Sequence, residues 1–371
     1  MNINVSKKDL LRLVSRVQGA SAKLATVPGL NSVLLSASKK EIRASATDLY
    51  VSLTGAVSCD VKKQGSVALP AKDLIARIKA MPDGDITVSA TEAGTVTIKA
   101  HGSPRKFTIH GMPGSDFPAM RSPSDSSKAS SIAASTIAQV LSLTAFSIQQ
   151  DETRPATNSL SIAWSNGSIV AASTDGHRLS RACVQVDASD DCDRLNCLLP
   201  LRAVTQLRSM VDAGDSIATV TQDGTWVYVE VDGIVLGAST CDGAFLPVEQ
   251  VIPKSSSASV SVPREQFAES LRAVAVSASE RTGGVKLSLS DGQLRIIGES
   301  ADSGNGYDEI AVDYNAAKVE LGVNSTYIIQ ALDALECDSA ILGMSGDRDP
   351  ITIRPDGDGT EFVGVIMPMV I

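Results

Sequence analysis

Three segments of the chain repeat one spacing of apolar residues, at i and i+4, which places both residues on one face of a helix. The pairs are Leu10 with Val14, Ile137 with Leu141, and Phe267 with Leu271. Each repeat is followed by a second segment with helical character, at residues 69–81, 199–211 and 323–335. The pattern therefore predicts six helices, two in each of three repeats.

The segments between these helices alternate apolar and polar residues, which is the period of a half-buried β-strand. Runs such as VTIKA, TWVYVEV and QLRIIG show this alternation. Turn dipeptides that favour tight hairpins separate such runs at Asn166-Gly167, Asp223-Gly224 and Asp291-Gly292. We expect about eight antiparallel strands and two helices in each repeat.

The repetition extends to the sequence itself. NSVLLSASKKEIRASATDLYVSL from Asn31 aligns without a gap with NSLSIAWSNGSIVAASTDGHRLS from Asn158, and a weaker third copy starts at Gly284. Ser- and Pro-rich stretches at 121–131 and 252–261 separate the copies, as linkers do. We predict an α+β protein of three like-folded domains, at residues 1–125, 126–253 and 254–371.

Composition narrows the classes of function. The chain has 371 residues, a net charge of -9 and only 4% aromatic residues. The amino-terminal segment lacks the apolar region of a signal peptide and carries four basic residues, so we expect a cytoplasmic protein. The six cysteines form no CxxC pair, which disfavours a zinc site and favours reduced, buried thiols. We expect neither a metal nor another cofactor.

Basic residues are concentrated on some of the predicted helices of this acidic chain. The helix near Leu10 carries Lys7, Lys8, Arg12 and Arg16 against Asp9, and the helix at 69–81 has three basic residues against one acidic residue. Such a face is either an ordinary solvated surface or a surface that neutralises phosphates without reading bases. The predicted helix near Ile137 has no charged residue, and the sixth predicted helix has only the acidic residues Asp333 and Glu336, which weakens the second interpretation.

The common catalytic and nucleotide-binding motifs are missing from the sequence. Of the three histidines, His177 lies in the turn-like stretch TDGHRLS, where a positioned polar residue is a simpler interpretation than a catalytic base. The sequence therefore does not define a constellation of nucleophile, base and orienting residue.

Several stretches together resemble one family. TDGHRLS (174–180), ALPAKDLIARIKAMPDGD (68–85), GMPGSDFPAM (111–120), FLPVEQVIP (245–253) and the terminal VIMPM (365–369) are similar to the bacterial DNA polymerase III beta subunit, the sliding clamp family. The resemblance covers the whole chain and implies a head-to-tail homodimer in which six domains form a ring around duplex DNA. The residues that it implies to face DNA are Lys8, Arg12, Arg16, Lys23, Lys72, Arg77, Lys79, Gln150, Arg202 and Arg208.

The resemblance also implies an apolar cleft that binds short peptides containing Leu or Phe. The expected partners are the DNA polymerase III alpha subunit, the clamp loader delta subunit, and other polymerases and repair proteins. The matching positions are Thr157, Thr174, Gly176, His177, Arg178, Leu179, Leu246, Gln250, Val251, Thr282, Asn324, Tyr327, Arg348, Pro350, Val365, Ile366, Met367, Pro368 and Met369. Thr157, Gln250 and Thr282 depart from residues common in the family, so a different peptide preference is expected.

The dimer contact implied by the resemblance joins a basic strand of the first domain to an acidic stretch of the third. The residues are Arg105, Lys106 and Phe107 on one side, and Leu271, Asp302, Asp308 and Glu309 on the other. The leading hypothesis is a non-catalytic sliding clamp. The alternatives are a three-domain scaffold that binds peptides but not DNA, and a hydrolase with a site centred on His177.

Overall fold

A computed structural model describes residues 1–22, 27, 29–186, 195–211, 214–278, 283–300, 304–357 and 359–370. The α-helices of these residues are α1 (Lys7–Val17), α2 (Ala71–Lys79), α3 (Ala134–Thr144), α4 (Leu201–Met210), α5 (Val248–Val251), α6 (Arg264–Ala275) and α7 (Ser325–Asp333). Short 3-10 helices cover Gln18–Ala20, Gly114–Asp116 and Ala145–Ser147. None of the helices in the described ranges has the length and apolarity needed to span a membrane.

The strands fall into three successive groups. The first group is β1 (Asn2–Ser6), β2 (Ser32–Ser38), β3 (Glu41–Thr47), β4 (Val51–Ser58), β5 (Asp60–Lys63), β6 (Gly65–Pro70), β7 (Asp85–Ala90), β8 (Thr95–Ala100), β9 (Lys106–His110) and β10 (Met112–Pro113). The second is β11 (Ala129–Ala133), β12 (Ser159–Ser165), β13 (Ser168–Thr174), β14 (Arg178–Gln185), β15 (Leu195–Pro200), β16 (Ile217–Asp223), β17 (Trp226–Val231) and β18 (Ile234–Ser239). The third is β19 (Ala258–Pro263), β20 (Gly284–Ser290), β21 (Gln293–Ser300), β22 (Gly304–Ala311), β23 (Val319–Asn324), β24 (Ser339–Met344), β25 (Ile351–Pro355) and β26 (Glu361–Ile366).

The six predicted helices are present, and their apolar faces are buried. Leu10 and Val14 of α1 and Phe267 of α6 are fully buried, and Ile137 of α3 is nearly so. A one-turn helix, α5, was not predicted, because four residues are too few to show a helical period. The prediction of an α+β fold with two longer helices and about eight antiparallel strands per repeat is confirmed.

Two of the three predicted hairpin turns have the expected geometry. Asn166 and Gly167 have φ of 54° and 72°, and Asp291 and Gly292 have φ of 47° and 76°. Left-handed backbone at both central residues is what a two-residue type I′ hairpin requires. At the third site the strand continues through Asp223, so the turn starts one residue later, at Gly224.

The chain divides into two compact units. Unit 1 comprises residues 1–135 and 202–240. It contains a nine-stranded sheet in the order β10-β6-β2-β3-β4-β18-β17-β16-β11 and a five-stranded sheet in the order β5-β1-β7-β8-β9. The larger sheet joins the first two repeats, because β4 pairs with β18 in a register that places Leu53 opposite Leu236. Helix α1 packs against β3 and β4 and beside α2.

Unit 2 comprises residues 136–201 and 241–371. Its eight-stranded sheet has the order β15-β12-β13-β14-β26-β25-β24-β19, and its four-stranded sheet has the order β22-β21-β20-β23. Strand β14 of the second repeat pairs with β26 of the third, with Leu179 opposite Val365. Helices α6 and α7 pack on each other and cover one continuous apolar core that includes Phe267, Leu271 and Ile328. Each long sheet thus combines strands of two repeats.

Candidate functional site

The turn between β13 and β14 is held by a dense set of local hydrogen bonds. The Thr174 hydroxyl donates to the Arg178 carbonyl at 2.6 Å and accepts from the Gly176 N–H at 3.1 Å. One carboxylate oxygen of Asp175 accepts from the N–H groups of His177 and Arg178, at 2.9 and 3.0 Å. Gly176 has φ of +90°, a conformation that glycine adopts without strain. The turn therefore presents His177 at the surface on a fixed backbone.

The first repeat builds the same turn between β3 and β4. The Thr47 hydroxyl donates to the Val51 carbonyl at 2.9 Å and accepts from the Leu49 N–H at 2.9 Å. The Asp48 carboxylate accepts from the N–H groups of Tyr50 and Val51. Leu49 has φ of +83°, in the left-handed region where the second repeat has glycine. The aligned pairs Thr47-Asp48 and Thr174-Asp175 thus form the same hydrogen-bonded turn in the two repeats.

The side chain of Arg178 is the centre of a polar and aromatic cluster in unit 2. Its Nε lies 3.0 Å from the second carboxylate oxygen of Asp175, and its Nη2 donates to the Phe146 carbonyl at 2.5 Å. Its Nη1 donates to the side-chain oxygen of Gln330. The guanidinium carbon lies 4.4 Å from the ring centroid of Tyr327 and 5.5 Å from that of Phe146. Arg178 therefore ties the turn of the second repeat to α7 of the third.

An apolar surface adjoins this cluster, and we call it the apolar cleft. Its floor is the cross-strand pair Leu179 and Val365 together with Val363, all buried. The partly buried side chains that pack against this floor are Leu246, Val248 and Ile252. Leu246 precedes the one-turn helix α5, and this segment packs on the floor of the cleft from Leu246 to Ile252.

The chain terminus borders the cleft. The Met367 N–H donates to the His177 carbonyl at 2.8 Å, and the Met369 N–H donates to the Gly322 carbonyl at 2.8 Å. Met367 is 44% exposed and Val370 is fully exposed. The apolar tail of an acidic protein thus has two parts: β26 is buried in the sheet, and the residues after it lie at the surface.

The remaining predicted cleft residues also belong to unit 2, with different degrees of exposure. Ile366 is buried in β26 and pairs with Ile351 of β25. Pro350 directly precedes Ile351 in the chain. Asn324 caps α7 by accepting from the Thr326 N–H at 2.9 Å. Thr157, Pro368 and Tyr327 are half-buried, whereas Gln250, Val251 and Arg348 are exposed. Thr282 lies outside the described residues.

Unit 1 contains a groove of about 940 Å³ with a basic lining. Arg12 and Arg16 of α1 and Lys72 of α2 line it, together with small and polar residues. Asp73 also lines the groove, but its carboxylate is paired with Arg77 at 2.8 Å. The concentration of predicted basic helix residues in one groove favours the phosphate-facing interpretation over scattered surface charges.

Arg202 differs from the other residues predicted to face DNA. Its Nε lies 2.6 Å from the Asp48 carboxylate, and its Nη2 donates to the Ser21 carbonyl at 3.0 Å. These contacts hold α4 against the first repeat. The Asp48 carboxylate also neutralises the positive charge of Arg202 that would otherwise attract a phosphate. We therefore assign Arg202 mainly to holding unit 1 together.

The other residues predicted to face DNA are accessible wherever they are described. Lys8, Lys79 and Arg208 are exposed in unit 1, and Gln150 is exposed in unit 2. Lys23 lies outside the described residues.

The two strands predicted to meet in a dimer are both edge strands. Strand β9, which contains Lys106 and Phe107, ends the five-stranded sheet, and β22, which contains Asp308 and Glu309, ends the four-stranded sheet. Edge strands have a free row of backbone donors and acceptors that another chain can pair with. Arg105, just before β9, donates to the Ala80 carbonyl at 2.6 Å.

The structure does not support Leu271 as a residue of the predicted dimer contact. Its side chain is fully buried in the core of unit 2, because it lies on the same helical face as Phe267. Sequence reasoning missed Val276, which directly follows α6 and is 81% exposed, and Tyr307, which is 58% exposed on β22; α6 packs on β22. Their exposure was not readable from the sequence. Asp302 lies outside the described residues.

The geometry around His177 does not support a hydrolase. The Asp175 carboxylate that would orient the imidazole is occupied by two backbone N–H groups and by Arg178. Among the described residues no group of three or more His, Cys, Asp or Glu side chains could hold a metal ion.

Comparison with known proteins identifies the family. Residues 1–121 match the N-terminal domain of the DNA polymerase III beta subunit, residues 131–247 its central domain, and residues 249–370 its C-terminal domain. The chain belongs to the DNA polymerase III beta subunit family. This family is a non-catalytic processivity factor of DNA polymerase III, so the hydrolase alternative is wrong.

Individual relatives in the beta subunit family agree over the whole length. The chain is 25% identical to the beta sliding clamp of Pseudomonas aeruginosa over 370 residues, covering all of both chains. It is 27% identical to the beta sliding clamp of Chlamydia muridarum over 371 residues, covering 100% of this chain and 99% of the relative. The crystal structure of the Bartonella birtlesii sliding clamp bound to griselimycin superposes with a TM-score of 0.91 at 26% identity, with both chains fully covered.

Proposed function

We propose that this protein is a sliding clamp that encircles duplex DNA and tethers DNA polymerases to it. The observation that carries the proposal is the match of all three beta subunit domains, in order, along the chain. Since a clamp acts by topological linkage and not by chemistry, no catalytic residue is needed. We also propose that the protein is cytoplasmic and that its three domains comprise residues 1–125, 126–253 and 254–371.

The basic groove of unit 1 is proposed to face the DNA backbone. Arg12, Arg16 and Lys72 line it, and they can approach phosphates without contacting base edges. Contacts of this kind are independent of sequence, which lets a protein slide. Lys8, Arg77, Lys79 and Arg208 of unit 1 are proposed to face the same backbone, as are Gln150 of unit 2 and Lys23, and Arg202 contributes less because Asp48 neutralises it.

A head-to-tail homodimer is proposed to close the ring. Strand β9 of one chain would pair with β22 of the other, both being free edges of their sheets. Arg105 and Lys106 would then approach Asp302, Asp308 and Glu309, with opposite charges that favour this register. Phe107 would meet the exposed pair Val276 and Tyr307, in place of the buried Leu271.

The apolar cleft is proposed to bind short peptides containing Leu or Phe. A partner's apolar side chains would cover Leu246, Val248 and the terminal methionines, which fit ligands of different shapes. Thr157, Thr174, His177, Gln250, Val251, Thr282, Asn324, Arg348, Pro350 and Pro368 would form its polar and outer parts. The proposed partners are the DNA polymerase III alpha subunit, the clamp loader delta subunit, and other polymerases and repair proteins.

Primer extension on a primed single-stranded circle tests the function. With a bacterial polymerase III core and clamp loader present, adding this protein should lengthen the products of a single binding event by at least about tenfold, since polymerase dissociation no longer ends synthesis. A scaffold that binds peptides but not DNA would leave product length unchanged. That result would reject the clamp and retain the scaffold alternative.

A further inference from the structure

A second cavity lies in unit 1, away from the basic groove. It has a volume of about 410 Å³ and lies between one face of the nine-stranded sheet and residues 120–123. Its sheet side includes Ser52, Gly237 and Tyr228, and its outer wall includes Met120 and Arg121. We call it the Tyr228 cavity.

The Tyr228 cavity occupies the same place in the repeat as the apolar cleft. Ser52 pairs with Gly237 between β4 and β18, as Leu179 pairs with Val365 between β14 and β26. In both units a segment that follows the last strand of a repeat lies over this pair: residues 120–123 in unit 1 and residues 246–252 in unit 2. Where unit 2 has two large aliphatic residues, unit 1 has serine and glycine, which leaves space.

The small residues allow Tyr228 to lie across the floor of the cavity. A Cβ added to Gly237 would be 3.0 Å from Cε1 of the Tyr228 ring and 2.7 Å from the Ser52 hydroxyl oxygen. Glycine inside a strand weakens it unless a neighbour uses the space, and here the aromatic ring on the next strand does so. The cavity is therefore built by a specific combination of residues.

Tyr228 and Arg121 bring unused hydrogen-bonding capacity to this cavity. Tyr228 is 5% exposed, and its hydroxyl has no hydrogen-bond partner among the described residues. Burial raises the pKa of Tyr228, with a smaller contribution from Asp223, so the phenol remains a donor at neutral pH. The hydroxyl is not one of the fully buried unpaired atoms of the described residues, so it lies at the cavity surface, where it can donate to a ligand or to water.

Arg121 is held in place by packing and not by an ion pair. Its guanidinium carbon lies 5.2 Å from the ring centroid of Trp226, and it forms no ion pair within the described ranges. Arg121 and Tyr228 also line an adjoining space of about 460 Å³. There the nearby Asp223 carboxylate accepts the Ser124 N–H at 2.8 Å. The guanidinium is thus oriented by a ring while its N–H donors remain available.

The hydrogen-bond donors of the Tyr228 cavity favour an anion. Arg121 and the Tyr228 hydroxyl line it without a polar partner among the described residues, whereas Arg43 is paired with Glu41 at 3.3 Å and Glu230 is the one carboxylate of the lining. The wall also has an apolar part, formed by Met120 and Val235. We propose that the Tyr228 cavity binds a small organic anion, whose carboxylate or phosphate contacts Arg121 and Tyr228 while its apolar body lies against Met120. The proposal is independent of DNA and peptide binding.

Titration of the full-length protein with three probes tests this site. Benzoate and phenyl phosphate carry the two candidate anionic groups on the same ring, and benzamide is the uncharged counterpart. We expect one or both anions to bind with a dissociation constant of about 1 mM or below, measured by saturation-transfer NMR. Benzamide should bind at least about tenfold more weakly, because hydrogen bonds to charged groups are the stronger ones. The stronger anion identifies the preferred group.

Two substitutions connect the binding to this cavity. Tyr228→Phe keeps the ring and removes the hydroxyl, and we expect it to weaken binding of the preferred anion about fivefold to tenfold. The matched control is Tyr50→Phe, on a tyrosine that is 69% exposed in the same unit and should leave binding unchanged. The proposal is overturned if neither anion binds, if benzamide binds equally well, or if Tyr228→Phe binds the anion as well as Tyr50→Phe.

Discussion

The guanidinium carbon of Arg178 lies 4.4 Å from the ring centroid of Tyr327, which is within the range of a cation–π contact. The two residues come from different repeats, and Arg178 also pairs with Asp175 at 3.0 Å. Burial raises the pKa of Tyr327, with Asp175 adding to the shift, so the ring stays neutral beside the guanidinium. The Arg178 side chain therefore stabilises both the turn at the cleft, through Asp175, and the position of the Tyr327 ring beside it.

Replacing Arg178 should reduce both stability and peptide binding. Arg178→Ala leaves the nearly buried Asp175 carboxylate without its partner, and we expect a loss of about 3 kcal/mol in the free energy of unfolding. Arg178→Lys retains the charge but neither the fork of donors nor the stacking, so peptide affinity should fall at least about fivefold with a smaller loss of stability. Urea denaturation and fluorescence titration with a Leu/Phe peptide measure the two effects.

Arg354 supplies the control for this prediction, because it is an exposed arginine on β25 of the same unit. Arg354→Ala should change unfolding by less than about 0.5 kcal/mol and leave peptide affinity intact. If Arg178→Lys bound peptide like the unaltered protein, Arg178 would have no part in positioning the cleft.

Truncating the chain after Ile366 should abolish peptide binding and leave dimerisation intact. The truncation removes the Met367 and Met369 contacts to His177 and Gly322 but retains β26, which is buried in the sheet. A shorter truncation, after Met369, removes the fully exposed Val370 and should change little. Calorimetric titration of both truncated proteins is the test, and equal peptide affinity in the two would contradict the assignment of the terminal methionines.

Phe107→Ala should weaken the proposed homodimer. An apolar residue truncated at the centre of an interface raises the dissociation constant by about tenfold or more, and Tyr307→Ala on the opposite strand should act similarly. Tyr50→Ala removes another exposed tyrosine, which belongs to neither edge strand, and should have no effect. Sedimentation equilibrium over a range of concentrations measures this, and undiminished association of Phe107→Ala would rule out β9 as the contact.

Glu320 should make the stability of unit 2 depend on acidic pH. A hydrogen bond from Lys318, with a further contribution from Lys286, lowers the pKa of the Glu320 carboxyl from 4.5 to about 2. Because the folded pKa lies below the unfolded one, the stabilisation is fully present above pH 4.5 and is lost as pH falls toward about 2. Surface exposure and salt keep its size small.

Thermal unfolding of Glu320→Gln against the unaltered protein tests this sign. The variant should unfold at a lower temperature at neutral pH, and the difference should vanish near pH 2. Glu336→Gln, at an exposed carboxylate with no ion pair among the described residues, serves as the control. A difference that grew as pH fell would reverse the assigned sign.

The elements of the fold were predictable because their signals are local. The i and i+4 apolar pairs place Leu10 and Phe267 in cores, and the dipeptides at 166–167 and 291–292 form left-handed turns. The joining of repeats into shared sheets was not predictable. Alternation along β4 or β14 is satisfied by any antiparallel neighbour, so nothing in either strand specifies β18 or β26.

The candidate sites show the same limit. The terminal apolar run and TDGHRLS pointed to the cleft, but the contacts of Arg178 with Phe146 and Gln330 depend on tertiary structure. Leu271 could have been excluded from the dimer contact earlier, since its own helical spacing with Phe267 predicts a buried side chain. Val276 and Tyr307 could not have been found, because exposure of an apolar residue has no sequence signal.

Retention on circular DNA tests the central claim most directly. The protein is loaded by a clamp loader onto a nicked circular plasmid and separated by gel filtration at a salt concentration that abolishes phosphate contacts. We predict that the protein elutes with the circular DNA. A nuclease that cuts the circle once should release it, because the protein can then slide off the free ends of the linear DNA. Release from the intact circle at that salt concentration, or retention after the cut, would contradict a topological link.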